Sequence, residues 1–273
     1  MYVSELFHYP IKSLAGHSLS RMAIDELGPE HDRRFMLVDD GGKFVTQRTH
    51  PIMAHIHVEF TDDFLVLSHL TSDKRISVPF ADNDLNNQVS HDRFDVNIWG
   101  DTVNAKPVSP QLDNWLSELL GKSVRLVTLS SMTSRLIDEG FNPNNKHVSF
   151  ADGFPFLITT QASLDFINQQ LPFKVGMERF RPNIVISGDF PAFDEDRWQS
   201  IEINGIQFDI VKPCSRCVIP SINPDSLEKQ REVTQVLKQF RKTDMGLIFG
   251  QNAIHSGAGV IEKGTDIKVT YCQ

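Results

Sequence analysis

Cysteine is scarce in this 273-residue chain: there are three, an odd number, which excludes a disulfide framework as the organising principle. Basic charge is short as well. Lys and Arg total 27 against 35 Asp and Glu, a formal net charge of −8. A broad surface for nucleic acid or anionic lipid needs a positive field, so both are excluded as partners. No apolar run approaches the roughly 18 residues that would span a bilayer. The opening "MYVSELFHYPIKSL" has no charged segment leading into an apolar one, so no secretory leader is expected. Also missing are GxSxG, HExxH, a glycine run ahead of a lysine, internal repeats, heptads and low-complexity tracts. A soluble protein in a reducing, cytoplasmic setting is expected.

What is present reads mostly as strand. Hydrophobic residues at 40% and charged residues at 23% suit a folded core. Arg33 to Arg48 has two apolar arms around Asp39-Asp40-Gly41-Gly42, a hairpin signal. "IEINGIQFDIVKP" carries Asn204-Gly205, followed by Ile206, Phe208 and Ile210 in alternation, as in a half-buried strand. The tail "GVIEKGTDIKVTYC" predicts two short strands around Gly264. Helices are fewer: "SPQLDNWLSELLG" starts at Ser109-Pro110 and stops at Gly121, "QASLDFINQQL" has helical spacing, and "SLEKQREVTQVLKQFRK" is a surface helix with a sparse apolar stripe. The expectation is a β-rich α+β protein containing barrel elements, with a division near Gly121 into residues 1–121 and 122–273.

The chemistry concentrates in "VKPCSRCVIPSINPD", Val211 to Asp225. Cys214 and Cys217 have the mutual spacing of half a zinc site, but no second CxxC or HxxxH completes it. A thioredoxin-type pair needs its first cysteine at a helix start, which Pro220 and Pro224 disfavour. Two reduced structural thiols are the plain alternative. Arg216 between them points elsewhere: a guanidinium beside a thiol favours thiolate and offers a fork for an anion. Lys12 and Ser13 in "YPIKSLAG" form a loop pair able to hold a phosphate. Arg34, Arg48 and Arg181 also flank turns and strand ends. Local basic convergence in an acidic chain is what a small anionic ligand requires. Thr159 and Thr160 end the apolar run after "FADGFP" and are either ligand contacts or local caps.

In order along the chain, "YPIKS", "DRRF", "FADGFPFLI", "FRPNIVISG", "KPCSRC" and "FGQN" resemble the MOSC family, named for the C-terminal domain of molybdenum-cofactor sulfurases. Within it the similarity is to the bacterial hydroxylaminopurine-resistance proteins and the mitochondrial amidoxime-reducing component. The resemblance implies an N-terminal β-rich domain followed by a MOSC β-barrel, with molybdenum cofactor (Mo-molybdopterin) between them. It implies Cys217 as metal ligand and catalytic residue. The cofactor contacts it implies are Lys12, Ser13, Arg34, Thr160, Arg181, Asn183, Ser215 and Arg216. The implied activity is a molybdenum-dependent oxidoreductase that reduces N-hydroxylated compounds such as hydroxylaminopurines from N–OH to N–H. Bacterial relatives often continue into an iron–sulfur domain, and Cys272 alone holds no cluster, so a separate flavin reductase or iron–sulfur protein is expected as electron donor. Relatives usually carry two threonines where this chain has Pro220 and Ser221, which bears on the substrate side. The alternative from another class is a non-catalytic carrier of the cofactor or of sulfur on Cys217.

Overall fold

The computed structural model describes residues 1–61, 64–79, 93–129, 135–137, 139–141 and 146–272. Strands dominate, with three α-helices among the described residues, Pro110–Leu120 (α1), Gln161–Gln169 (α2) and Arg231–Phe240 (α3). None is long and apolar enough to cross a membrane.

The largest sheet follows the order Ile267–Tyr271, Trp198–Ile203, Ile206–Ser215, Gly246–Ser256, Phe156–Thr160, Ile184–Ser187, Tyr2–His8, His17–Leu19. Its pairs are antiparallel except Phe156–Thr160 against Ile184–Ser187, which run parallel. Helix α2 supplies the crossover that a parallel pair requires. A four-stranded sheet has the order Phe35–Val38, Arg125–Leu129, Asp101–Pro107, Phe94–Ile98, and two three-stranded sheets complete the set. Ile267–Tyr271 and Gly259–Glu262 flank Gly264 as expected, yet they join different sheets, the second pairing with Arg21–Asp25.

Local chemistry explains most of these elements. Asn204 and Gly205 take positive φ, 49° and 79°, and join two paired strands in a two-residue turn. Helix α1 has proline in its first turn and ends on Gly121 at φ 61°, the left-handed cap that glycine adopts without a Cβ penalty. The Asp39–Gly42 turn also forms, with Asp39 donating its N–H to Lys43 O at 2.9 Å. Its second arm reaches the sheet by two isolated bridges, Phe44 to Val38 and Lys43 to Asn97, rather than by a full strand. Helix α3 is shorter than the expected polar helix: Ser226 to Gln230 run as turn and bridge, and Val233, Val236 and Leu237 supply its buried stripe.

Five apolar clusters form among the described residues, two of them larger than the rest. One gathers Phe35, Leu37, Met53, Ile56, Leu65, Leu112, Leu116 and Leu126, and the other Phe156, Ile158, Ile184, Ile186, Trp198, Ile201 and Phe208. Val3 and Leu6, from the start of the chain, belong to the second core. Tyr2–His8 pairs with Ile184–Ser187, so a division at Gly121 does not separate the sheets in space. That crossing carries the loop after His8 to the seam between the cores, where strand ends from both halves meet.

Gly250 shows how close the packing is. At φ 75°, an added Cβ would lie 2.6 Å from Thr159 Cγ2 and 2.8 Å from Ile158 O. Both the backbone and the space therefore demand glycine. Gly250→Ala is expected to lower the unfolding free energy by about 2 kcal/mol or more, read as a shifted urea midpoint.

His8 lies beside the seam with its pKa pushed down to about 4, chiefly by burial. The unfolded chain binds a proton near pH 6.5 that the folded chain refuses until about 4. Stability contributed by neutral His8 is thus full above 6.5 and lost as pH falls toward 4. Urea unfolding at pH 7 and pH 4.5 should show a drop that shrinks in His8→Gln by on the order of 1–2 kcal/mol.

Candidate functional site

At the seam lies a cavity of about 280 Å³. Its floor comes from the ends of several strands: Lys12 and Ser13 after Tyr2–His8, Arg33 before Phe35–Val38, and Phe180, Arg181 and Asn183 before Ile184–Ser187. Cys214 to Cys217, at and just past the end of the strand Ile206–Ser215, complete this part of the lining. Among the described residues, Lys12, Arg33, Arg48, Arg181 and Arg216 line the cavity against a single carboxylate, Asp152. Five cations meet here in a chain that is acidic as a whole.

The cations are held from beneath by neighbours that spend part of their donor capacity. Lys12 is buried, donates to Phe150 O at 2.8 Å and pairs with Asp152. Burial lowers the Lys12 pKa from its ordinary value, with the Asp152 charge opposing it. Asp152 is itself open to the cavity. The surrounding walls displace water and would raise its pKa, but Lys12 and the Trp99 Nε1–H, donated at 3.0 Å, outweigh that and hold it well below the usual carboxylate range. Arg135 braces the loop carrying Asp152 by donating to the carbonyls of Ser149 at 3.1 Å and Asp152 at 3.2 Å.

Arg33 and Arg181 clamp the Tyr9 ring, with guanidinium carbons 4.3 Å and 4.2 Å from its centroid. Both residues have left-handed backbone, φ 48° and 54°. Arg33 donates to Arg181 O at 3.2 Å, and Arg181 donates to Leu14 O at 2.8 Å. Burial first, then the charge of Arg33, brings the Arg181 pKa down to about 10, so it stays cationic at neutral pH. Tyr9 is buried with no partner for its hydroxyl among the described residues, and burial raises its pKa. Arg216 donates to Phe180 O at 2.7 Å and to Cys214 Sγ at 3.0 Å, while its buried Nε has no partner among the described residues.

The two cysteines are thereby made unequal. Cys214 is half-buried and receives the Arg216 contact, whereas Cys217 is exposed on the cavity wall with no bonded partner among the described residues. No group of three or more His, Cys, Asp or Glu side chains among the described residues has the geometry of a metal cage.

Seven of the nine residues that the sequence nominates line this cavity: Lys12, Ser13, Arg181, Asn183, Ser215, Arg216 and Cys217. Asn183 is already committed, donating to Phe7 O at 3.3 Å and accepting from Leu157 N at 3.2 Å, so it ties strands together at the wall. The Ser215 hydroxyl likewise donates to Met245 O at 2.7 Å. Two residues lie elsewhere. Arg34 turns away and grips both oxygens of Asp25 at 2.6 Å and 2.7 Å; the left-handed backbone at Arg33 aims that neighbour into the cavity instead. Thr160 is fully buried, caps α2 through the Ser163 N–H, and donates to Glu195 at 2.9 Å. Thr159 is buried too, against Met177.

Asp152, Trp99 and Asn252 line the cavity without having been singled out. Asp152 lies inside "FADGFPFLI" and Asn252 inside "FGQN", so both motifs contained a signal that residue type alone did not rank. Trp99 precedes a glycine at a hairpin tip, a position with no sequence pattern that names a ligand site. The choice between neighbouring arginines can be checked directly. Pyrophosphate binding, measured by calorimetry, should weaken about tenfold in Arg33→Ala and stay within about twofold in Arg34→Ala.

The geometry can be set beside known proteins. The family description "MOSC N-terminal beta barrel domain" matches residues 1–123, and "MOSC domain" matches residues 145–269. The chain is 29% identical to mitochondrial amidoxime-reducing component 1 of Mus musculus, over 97% of this chain and 81% of that protein. It is 29% identical to mitochondrial amidoxime reducing component 2 of Bos taurus, over 89% and 73%. It is 25% identical to molybdenum cofactor sulfurase of Arabidopsis thaliana, over 91% of this chain but 32% of that longer protein. The strand-rich chain, with an N-terminal β-barrel domain followed by a MOSC domain, belongs to the MOSC family.

Proposed function

We propose that this protein is a molybdenum-cofactor-dependent reductase of N-hydroxylated compounds. The observation that carries the reading is the placement of Cys217: an exposed thiol without a bonded partner among the described residues faces a cavity lined by five cations. The relatives named as amidoxime-reducing components and as molybdenum cofactor sulfurases support it.

The residues present fit such a group. Thiolate is a soft ligand suited to molybdenum, and Cys217 is the cavity thiol left free of Arg216. The phosphate of molybdopterin calls for forked and point-charge donors, which Arg33, Arg181, Arg216 and Lys12 provide. The buried Arg216 Nε, without a partner among the described residues, leaves polar capacity in the cavity wall. Bound there, the cofactor supplies the two-electron couple that converts N–OH to N–H.

In the overall balance, two electrons and two protons convert the N–OH group into N–H and water. Lys12 and Asp152 hold opposite charges at the cavity wall, so one proton position near the reacting group stays defined. Trp99 keeps Asp152 oriented by its indole N–H. The apolar side chains of Phe154, Phe156, Leu157 and Phe180 line the remaining wall and limit water. Electrons come from a partner redox protein, and a reducing cytoplasmic setting that keeps Cys217 a free thiol belongs to the same reading.

Metal analysis and turnover test it together. Protein from a host able to make the cofactor should carry close to one Mo per chain and reduce a hydroxylaminopurine with an artificial electron donor. Cys217→Ala should lose the metal and at least about a hundredfold in rate, while Cys214→Ala keeps both. Sulfurase relatives that match most of this chain favour a carrier as the second reading. Cofactor bound without turnover, or persulfide on Cys217 without molybdenum, would select it.

A further inference from the structure

A second cavity, of about 780 Å³, adjoins the first and shares two of its residues, Arg48 and Trp99. The partition is built from side chains. The Arg48 guanidinium lies 4.4 Å from the Trp99 ring centroid, and Phe44 meets the same indole at 5.0 Å in a tilted contact. From the other side Lys12 Nζ approaches the Phe44 and Trp99 rings at 5.6 Å and 5.9 Å. The indole N–H donates to Asp152 inside the first cavity. Trp99 therefore faces both spaces while Phe44 faces the outer one, and a ligand in the outer cavity would lie one side chain away from Cys217's cavity.

Backbone strain marks Trp99 independently. It opens the turn between Phe94–Ile98 and Asp101–Pro107 at φ 58°, with Gly100 at 120°. A two-residue hairpin turn of this kind favours Asn-Gly, and a bulky aromatic in left-handed backbone is an outlier. Trp99 nonetheless remains 50% exposed, so hydrophobic burial does not offset the strain. Strain of this kind clusters where a side chain is held for a ligand.

The charge in the outer cavity is also uneven. Its one carboxylate among the described residues, Asp39, is occupied by Lys122 at 3.1 Å and by the N–H groups of Gly41 and Lys43. Neither Lys43 nor Arg48 has an acidic partner among the described residues, and Lys43 is exposed. An open aromatic surface beside unpaired cations is complementary to a flat heteroaromatic ring carrying an anion.

We propose that the outer cavity is the substrate subsite, and that it takes a nucleotide-type ligand: a planar nitrogen heterocycle against Trp99 and Phe44, with its phosphate on Lys43 and Arg48. The N-hydroxylated form of such a ligand follows from the reductase reading; the ring and the phosphate follow from the cavity alone.

Binding can be measured on the full chain without turnover, using unreactive probes. Adenosine 5′-monophosphate, adenosine and inorganic phosphate are titrated by calorimetry, with quenching of Trp99 fluorescence as a second signal for the native chain. The monophosphate should bind at least about tenfold more tightly than adenosine or phosphate alone. Lys43→Ala should weaken the monophosphate about tenfold and leave adenosine within twofold. Trp99→Gly, which relieves the strained turn while deleting the ring, should weaken monophosphate and adenosine at least tenfold and raise the melting temperature. Equal binding of monophosphate and adenosine would overturn the phosphate contact. Equal binding of monophosphate and inorganic phosphate, or unchanged binding in Trp99→Gly, would overturn the ring contact. Turnover of a free hydroxylaminopurine without monophosphate binding sinks the subsite alone; monophosphate binding without turnover sinks the reductase reading alone.

Discussion

Like charges packed at the seam set the terms for the rest of this structure. Arg33 and Arg181 sit on opposite faces of one buried tyrosine, and their mutual repulsion must be compensated locally. Asp32 provides much of that compensation. Its carboxylate accepts from the Tyr9 N–H at 2.7 Å and from Arg33, and its carbonyl accepts from Ser149 at 3.0 Å. One buried acid thus joins the loop after the first strand, the arginine pair and the loop that carries Asp152. Removing it would leave buried cations without a partner, which is far costlier than losing an exposed ion pair.

The site follows from that arrangement. The cations keep their orientation through backbone carbonyls and ring faces, so part of their donor capacity remains for an anion. The inner cavity collects soft sulfur and positive charge, as a metal–dithiolene–phosphate group would require. The outer cavity has an aromatic corner and solvent-facing cations instead. Trp99 separates the two and is bonded to the inner one. On the proposed reading, the division of labour between a cofactor space and a substrate space rests on a single hairpin tip.

The two halves of the chain depend on each other in the same way. Tyr2–His8 is the strand through which the N-terminal half enters the largest sheet, and the residues immediately after it carry Lys12 and Ser13. His55 adds a second tie, bonding the carbonyl of Asp225 at 3.0 Å in the loop that follows Cys217. Position at the cavity is thus set by packing in both cores, and loosening either one would blunt the geometry on which the site relies.

Much of this was legible in the residues before any coordinates. The Asn204-Gly205 turn, the Pro110 and Gly121 boundaries of α1 and the strand-rich character rest on local propensities that act within a few residues. Cys214, Cys217, Arg216, Lys12 and Arg181 stood out because soft sulfur and basic groups are conspicuous in an acidic chain, and the choice of Cys217 over Cys214 came from the family resemblance. Arg33 versus Arg34 was undecidable by that route, since adjacent identical side chains differ only in the φ that each backbone adopts. Thr160 at the end of an apolar strand reads equally well as ligand contact or helix cap, and only Glu195, distant in sequence, decides for the cap. Asp152 and Trp99 were ordinary residues in the chain and acquire meaning by meeting Lys12 and Arg48. Composition and short-range pattern determined the class of fold and the chemistry on offer. Tertiary structure alone decided which groups meet, because ion pairing and cavity lining are set by contacts between segments that the sequence keeps far apart.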